Sequence, residues 1–343
     1  VAKNYFLFQD TRGTGRWLFQ AWDMDLTFGR SYQGAVLNDQ IFADEDDVGR
    51  EGVSPSHPLF GDREHQKWDH LWNRLTDALL SDPEIRAMYY RRLRTLMDDL
   101  LAPGHYEARI DELAALIADD AAADKSKWGQ YGVPETLARA ITRLLDEYLA
   151  VRRTHLFVTH RVDGEIPEAQ SPTPAIVINE LMYNPYADPD DPGPNGGANG
   201  GDREFVELYN PSLTEAVDLS GWLLDGVGLS VPSGTVLLPG AYLVVVRNDV
   251  AFRAHYGGGR FVAGQYGGKL AGGGERIALI DRAGNIIDVV TYGDEAPWPT
   301  TPDGGGPSLE LIDPALDNDA PASWSASDLP GGTPGQPNSA LAP

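Results

Sequence analysis

The stretch that decides the fold of the N-terminal part reads Trp22-Asp23-Met24-Asp25-Leu26-Thr27-Phe28-Gly29. Its two carboxylates follow an apolar segment that is typical of a β-strand. A second such segment lies upstream, so the two predict a β-hairpin with Asn4 at its open end. Mg²⁺ prefers hard oxygen ligands, and proteins supply few of them beside phosphate oxygens and water. An amide oxygen and a carboxylate at the two ends of one hairpin therefore suit a Mg²⁺ site facing the phosphates of a nucleotide.

The same residues also suit a purely structural interpretation. By spacing alone, Asp23 and Asp25 fit a pair of solvated carboxylates at the end of a strand, since motifs this short recur freely. Asn4 equally fits a residue that caps a turn. The sequence around these residues has to decide between the two interpretations.

Composition disfavours several classes of protein. Asp and Glu number 51 against 27 Lys and Arg, which gives a formal net charge of −24. Such a field repels phosphate backbones and anionic lipid surfaces, so nucleic-acid binding and membrane adsorption are disfavoured. The chain has no cysteine, which excludes disulfides and zinc sites built on thiolates. It has no run of about 18 apolar residues either, so no transmembrane helix is predicted.

The 343 residues divide into parts of different character. Residues 1–162 begin with the hairpin and then become helical. Residues 163–175 are rich in Pro and polar residues, as linkers are. From 176 to 338, short runs rich in β-branched residues alternate with Gly and Pro and helical periodicity vanishes, which predicts an antiparallel sandwich. With residues 339–343 as a tail, the fold class is α+β multidomain, a mainly helical region followed by an all-β sandwich.

Four helical patterns follow the hairpin. Apolar residues recur at helical spacing over residues 68–79, 85–100, 110–117 and 137–158. Ser81-Asp82-Pro83-Glu84 predicts a capping box at the start of the second helix.

The hairpin itself is rich in aromatic residues. Phe6 and Phe8 with Trp17 and Phe19 predict an exposed aromatic face. Exposed apolar surface of this kind promotes association.

Residues 1–162 resemble the C-terminal part of the CotH kinase family, the spore-coat protein H type of atypical protein kinase. The matching motifs are Lys3-Asn4-Tyr5-Phe6-Leu7-Phe8, Gly15-Arg16-Trp17 and the run from Trp22 to Gly29. The resemblance implies a protein-kinase-like, mainly helical C-lobe that uses ATP and Mg²⁺. In such folds an Asn at the end of the catalytic loop and an Asp beyond it both coordinate magnesium.

The resemblance assigns roles to three residues. Asn4 and Asp23 take the two ligand positions and so bind both Mg²⁺ and the nucleotide, and Asp25 reaches a second ion or orients the loop. The family's catalytic Asp, its phosphate-binding Lys and its nucleotide-covering lobe are expected upstream of Val1, because the chain opens within a strand. We therefore expect no catalytic residue and no kinase activity in these 343 residues alone. The intact protein is expected to phosphorylate protein Ser or Thr.

The second half resembles the lamin tail domain, an immunoglobulin-like β-sandwich. The matching runs span residues 178–185, 204–210, 217–222, 274–277 and 288–293. This resemblance implies binding or anchoring rather than catalysis. In bacteria the family is an appendage of secreted enzymes, so the pairing implies a secreted or cell-envelope-associated bacterial protein. Its partner would be a protein substrate or a component of the envelope or surface.

Two other functions compete with an exported kinase. In the first, the helical region is a non-catalytic scaffold and the sandwich anchors it to a surface. The second is a calcium-stabilised adhesion module, in which the segment from Asp188 to Asp202 binds Ca²⁺. That segment lacks the spacing of the twelve-residue calcium loop, so a surface loop is favoured. Glu204 and Glu207 stand an odd number of residues apart in a strand, so they face opposite sides and do not share a ligand.

Overall fold

The computed structural model of the chain describes residues 5–9, 11, 17–21, 31–33, 36–38, 74–129, 136–159, 161, 166–186 and 200–340. The chain divides into two compact units. Residues 1–86 and 93–168 form the first unit, and residues 87–92 and 169–343 form the second.

Two short antiparallel hairpins open the first unit. β1 (Tyr5–Gln9) pairs with β2 (Trp17–Ala21), and β3 (Ser31–Gln33) pairs with β4 (Val36–Asn38). The first pair confirms the predicted hairpin, whose aromatic composition favours strands.

The register of the first hairpin corrects the predicted aromatic face. Phe8 lies opposite Leu18, whereas Trp17 lies opposite Gln9. Because side chains alternate between the two faces of a strand pair, Trp17 cannot share a face with Phe8. The exposure itself is confirmed, since Phe8 and Trp17 are 47% and 68% exposed. The hairpin therefore carries exposed apolar side chains on both faces rather than on one.

Helices make up the remainder of the described part of the first unit. They are α1 (Arg74–Ser81), α2 (Pro83–Leu96), α3 (His105–Trp128), α4 (Leu137–Thr142) and α5 (Ala150–Thr154). π-helical segments extend them at Met97–Leu101, Arg143–Leu149 and His155–Thr159. The predicted helical character is confirmed over the described residues. Among these residues, no helix is long and apolar enough to cross a membrane.

The start of α2 differs from the predicted capping box. Ser81 is the last residue of α1, and Asp82 is the N-cap of α2. One Asp82 oxygen accepts hydrogen bonds from the amides of Glu84 (2.8 Å) and Ile85 (3.2 Å). Pro83 explains the difference, because Pro is favoured at the first helical position, where no N–H is needed. The cap therefore has to be the residue directly before it.

Arg153 of α5 joins the helices of the first unit. Its Nε donates to the carbonyl of Leu101 (2.6 Å), and its Nη1 donates to Glu107 Oε1 (2.6 Å) at the start of α3. Glu107 Oε2 in turn accepts from the amide of Gly104 (2.9 Å), the N-cap of α3. A single ion pair therefore satisfies groups at the end of one helical segment and the beginning of the next.

The second unit is built mainly from β-strands. They are β5 (Val177–Met182), β6 (Phe205–Tyr209), β7 (Val217–Asp218), β8 (Leu223–Asp225), β9 (Leu229–Ser230), β10 (Val236–Leu237), β11 (Tyr242–Val246), β12 (Val262–Gln265), β13 (Arg276–Ile280), β14 (Ile286–Thr291), β15 (Leu309–Leu311) and β16 (Trp324–Ala326). One sheet has the order β12-β11-β6-β5-β15-β16 and a second the order β14-β13-β8-β9, while β7 and β10 pair separately.

The main apolar core draws on both large sheets. Leu243 and Val245 of β11 belong to the same buried cluster as Leu224, Ile277 and Leu279 of the four-stranded sheet. The alternate residues of β11 belong to a second buried cluster on the outer face of the six-stranded sheet. Because both faces of β11 are buried, its sequence is continuously apolar rather than alternating.

A helix covers that outer face, which corrects the expectation that helical structure ends with the first half. α6 (Asp249–Tyr256) is capped by Asn248, whose side chain accepts from the amide of Ala251 (3.1 Å). Its Phe252 is fully buried and packs against Phe205, with ring centroids 5.8 Å apart. Two helical turns give too short a pattern for periodicity to reveal.

The same helix accounts for a departure from the predicted antiparallel topology. β11 and β12 pair in parallel, whereas the other strand pairs described in this unit are antiparallel. Parallel neighbours need a crossover connection, which α6 supplies. The predicted α+β class and β-sandwich are otherwise confirmed. The protein-kinase-like nature of the helical region and the domain limits at 162, 175 and 338 stay predictions.

Candidate functional site

The predicted magnesium ligands flank the first hairpin. Asn4, Asp23 and Asp25 lie outside the described residues. The described hairpin begins one residue after Asn4 and ends two residues before Asp23, with Tyr5 opposite Ala21. The predicted pairing of the two segments is therefore confirmed, and the ligand roles of the three residues stay predictions.

The predicted calcium loop lies largely outside the described residues as well. Of the segment from Asp188 to Asp202, only residues 200–202 are described, at the start of a short 3₁₀ helix, Gly200–Arg203. Within the described part of the chain, His, Asp and Glu side chains nowhere form a group of three or more that could hold a metal ion.

The sandwich contains a row of three buried glutamates that the sequence analysis missed. Glu180 of β5 lies opposite Glu207 of β6 on one side and opposite Glu310 of β15 on the other. Residues directly opposite each other share a face of the sheet. All three are fully buried. We call Glu180, Glu207 and Glu310 the glutamate row.

Residues 331–340, which we call the closing segment, supply hydrogen bonds to each member of the row. The amide of Thr333 donates to Glu180 (2.9 Å), and the amide of Ala340 donates to Glu310 (2.8 Å). The amide of Gly335 donates to Glu207. A buried carboxyl group without such donors would be strongly destabilising, so the closing segment is an integral part of the sandwich.

A glycine is required where the closing segment meets the row. Gly332 has a φ of 75°, a conformation that favours glycine. A Cβ atom there would also collide with Glu180 Oε1. The approach of the closing segment to Glu180 therefore depends on the absence of a side chain at position 332.

Side-chain amides complete the surroundings of the row. Asn179 donates to Glu207 Oε1 (2.8 Å) and to the side-chain oxygen of Asn338 (2.7 Å). Asn338 donates in turn to the carbonyl of Leu311 (2.8 Å). The closing segment is thus joined to β5 and β15 by buried amides as well as by carboxyl groups.

Burial raises the pKa of two members of the row, Glu180 and Glu207. It raises the pKa of Glu180 to about 8, and the neighbouring Glu310 adds to the rise. Burial likewise raises the pKa of Glu207 well above its ordinary value, and the nearby Glu180 raises it further. Since the row is fully buried, it is not accessible to a substrate, and the raised pKa values favour the protonated forms of Glu180 and Glu207.

Glu204 belongs to a separate environment, as the sequence predicts. Its Oε1 pairs with Arg247 (2.8 Å), and its Oε2 accepts from the amide of Leu270 (2.8 Å). Glu207 instead accepts hydrogen bonds from the side chain of Asn179 and the amide of Gly335. The two glutamates therefore do not act as one ligand pair.

One sequence signal could have revealed part of the row. Glu180 and Glu207 stand inside apolar strand segments, Ile178 to Met182 and Phe205 to Tyr209. A charged residue in such a segment is unusual, because ionisable side chains are rarely fully buried. The register that brings Glu310 into line with them depends on long-range pairing, which no local pattern shows.

Two family models match the chain in succession. The model described as CotH kinase protein matches residues 1–156, and the model described as Lamin Tail Domain matches residues 169–294. No curated protein matches the chain. Glu310 and the closing segment lie beyond the second match, although the sandwich includes them. The chain thus carries a CotH kinase segment followed by a lamin tail domain, in the order that the motifs predict.

Proposed function

We propose that residues 1–156 form part of a domain that transfers a phosphoryl group from ATP to Ser or Thr of a protein. The lamin tail domain then serves as the binding or anchoring module of the same protein. The observation that carries the proposal is the CotH kinase match over the hairpin and the run from Trp22 to Gly29.

The proposed chemistry assigns Mg²⁺ to Asn4 and Asp23, with Asp25 reaching a second ion or orienting the loop. Amide and carboxylate oxygens are hard donors that fit Mg²⁺. When bound, the ion neutralises charge on the phosphate oxygens of ATP. The two residues would hold the nucleotide's phosphates in position, and positioning is a large part of catalysis in phosphoryl transfer. The hairpin register supports this assignment, because it aligns the chain segments that lead to the two residues.

A phosphotransfer assay tests the catalytic proposal. We expect no turnover from the 343 residues alone, because the resemblance assigns the family's catalytic Asp and phosphate-binding Lys to none of them. A longer protein that includes those two residues should phosphorylate a protein acceptor in the presence of Mg²⁺. Asp23→Ala should reduce that turnover by about 10²-fold or more, since it removes a ligand of the charge-neutralising ion.

Asp10→Asn is a matched control for this assay. It changes an acidic residue at the other end of the hairpin sequence, so turnover should be unchanged. Turnover by the longer protein that survives Asp23→Ala would contradict the metal role. A longer protein without any turnover would favour the non-catalytic scaffold instead. Robust turnover by the 343 residues alone, abolished by Asp23→Ala, would contradict the predicted inactivity.

The anchoring role is proposed together with export to the bacterial cell envelope or medium. Its support is the presence of a second compact unit that contains the lamin tail match. Fractionation of cells that express the protein with and without residues 176–338 tests it. Loss of the envelope-bound fraction on deletion would support anchoring, whereas an unchanged distribution would contradict it.

A further inference from the structure

A surface cavity of about 290 Å³ is lined by residues of the second unit. Its lining comes from the end of β5, the end of α6 and the loops near residues 305 and 330. Its volume is close to the lower end of the range for small-molecule sites, about 300–1,000 Å³.

The polar side of the cavity is formed by Arg203 and His255. Arg203 Nη2 donates to the carbonyl of Tyr186 (2.6 Å), and Nη1 lies 3.3 Å from His255 Nδ1. A guanidinium group can only donate hydrogen bonds, so Nδ1 accepts and the neutral ring carries its proton on Nε2. These contacts hold the guanidinium in one orientation at the cavity. Arg is also the side chain best suited to a planar, two-oxygen anion.

The rest of the lining is mostly apolar and aromatic. It includes Met182, Pro185, Tyr186, Tyr256 and Pro330. Tyr256 is held in place by a hydrogen bond from its hydroxyl to the carbonyl of Gly331 (2.8 Å). A flat apolar group can therefore pack against these residues while a polar group contacts the arginine.

Part of the cavity wall is formed by glycines, which place no side chain in the cavity. Gly306 and Gly331 have φ values of 108° and 87°, where other residues are strained. A Cβ on Gly331 would lie 3.5 Å from both His255 Nε2 and the hydroxyl of Tyr256. The backbone conformation thus maintains the space beside the two polar groups.

The charge of the lining contrasts with that of the whole chain. None of the described residues that line the cavity is Asp or Glu, although the chain has a net charge of −24. An acidic surface disfavours anions in general, so binding of an anion at this cavity depends on the guanidinium of Arg203.

We propose that this cavity binds a small organic carboxylate with a flat apolar body. The carboxylate accepts hydrogen bonds from Arg203 and His255, and the body packs between Tyr186, Tyr256 and Pro330. The proposal rests on the binding role proposed for the lamin tail domain and gives that role a ligand class. It is independent of phosphoryl transfer, so the phosphotransfer assay cannot decide it.

Calorimetric titration of the 343-residue chain with phenylacetate tests the proposal. We expect saturable binding with a dissociation constant in about the millimolar range, as a fragment of this size allows. Phenylacetamide, which has the same body without the charge, should bind about tenfold more weakly. Inorganic phosphate carries charge but no flat apolar group. It should bind much more weakly than phenylacetate and should not displace it.

Two variants locate the binding. Arg203→Gln should weaken phenylacetate binding about tenfold, because it removes the charged donor. Arg276→Gln is the matched control, since Arg276 pairs with Asp225 (3.3 Å) and does not line the cavity. Equal affinity of Arg203→Gln and the unaltered chain would overturn the proposal. If Arg203→Gln does not fold, the unaltered chain still tests the proposal. Equal affinity for phenylacetate and phenylacetamide, or no saturable binding of either compound, would overturn the proposal.

Discussion

Glu107 in the helical region and Glu180 in the sandwich are both held by hydrogen bonds, yet their pKa values move in opposite directions. The hydrogen bonds from Arg153 lower the pKa of Glu107 to about 2. Burial raises the pKa of Glu180 to about 8, although the amide of Thr333 donates to it. A partly exposed carboxylate with a cationic partner stays charged, whereas a buried one with neutral partners keeps its proton. The two regions are therefore expected to respond to pH in opposite ways.

The largest expected effect comes from breaking the contact above the glutamate row. Gly332→Ala should lower the free energy of unfolding of the sandwich by about 3 kcal/mol, because it combines a strained φ with a collision at Glu180. Gly228→Ala is the matched control, since Gly228 also has a positive φ but no atom within 4 Å of the added Cβ. It should cost about 1 kcal/mol. Equal losses in chemical denaturation would contradict the described approach of the closing segment to Glu180.

The pH dependence of the sandwich is the next largest effect. Between its ordinary pKa of 4.5 and its folded value of about 8, Glu180 binds more protons in the folded state than in the unfolded state. The free energy of unfolding should therefore fall as pH rises through this window. Burial also raises the pKa of Asp288 to about 6. Below neutral pH, Asp288 therefore adds to the decrease in the free energy of unfolding as pH rises.

Glu180→Gln sharpens this test. Gln resembles the protonated side chain and cannot ionise, so the variant should lose much of the fall in stability between pH 5 and about 8. Thermal melts across this pH range measure the loss. The change in melting temperature between pH 5 and about 8 should be smaller in the variant than in the unaltered chain by ~5 °C or more. Melting curves of the variant and the unaltered chain that shift in parallel would exclude Glu180 as the source.

A smaller effect is expected from the helical region. Arg153→Met should destabilise the start of α3 by about 1–2 kcal/mol, because it removes donors to Glu107 and Leu101. Arg109→Met is the matched control, since its pair with Glu112 is exposed and should contribute about 0–1 kcal/mol. Hydrogen exchange resolved by peptide separates this region from the sandwich. Similar exchange in the two variants would contradict the joining role of Arg153.

The smallest expected effect is the loss of stability at the start of α3 in acid. Because the pKa of Glu107 is lowered from 4.5 to about 2, its stabilisation is fully present above pH 4.5 and is lost as pH falls towards 2. Exchange protection in the first turn of α3 should therefore decrease with acid in the unaltered chain and vary less in Glu107→Gln. A protection pattern that changes equally in both would show that another group is responsible.

Local signals explain what the sequence could predict. The aromatic segments of the hairpin, the apolar spacing of residues 85–100 and the β-branched runs of the sandwich all depend on near neighbours, and each produced the predicted element. The start of α2 was misplaced by one residue because two candidate caps, Ser81 and Asp82, are adjacent. The structure selects the one directly before Pro83.

Long-range signals explain what the sequence could not predict. The glutamate row needs the register of β5, β6 and β15, and it needs a closing segment whose Thr333 is 153 residues away from Glu180. The cavity likewise joins Arg203, His255 and Pro330 from separate parts of the chain. The predicted ligands Asn4, Asp23 and Asp25 depend on the family resemblance, since two carboxylates after a strand are common without function.

The position of the closing segment also bears on biosynthesis. Domains form while the chain is being made, starting from the N-terminal side. Residues 331–340 follow the described strands of both sheets in the chain, so the amides that donate to Glu180, Glu207 and Glu310 are made after the strands that carry those three residues. A chain that stops after β16 would contain every described strand but would lack the amides of Thr333, Gly335 and Ala340 that donate to the glutamate row. In this domain, translation has to pass Ala340 before the fold can be completed.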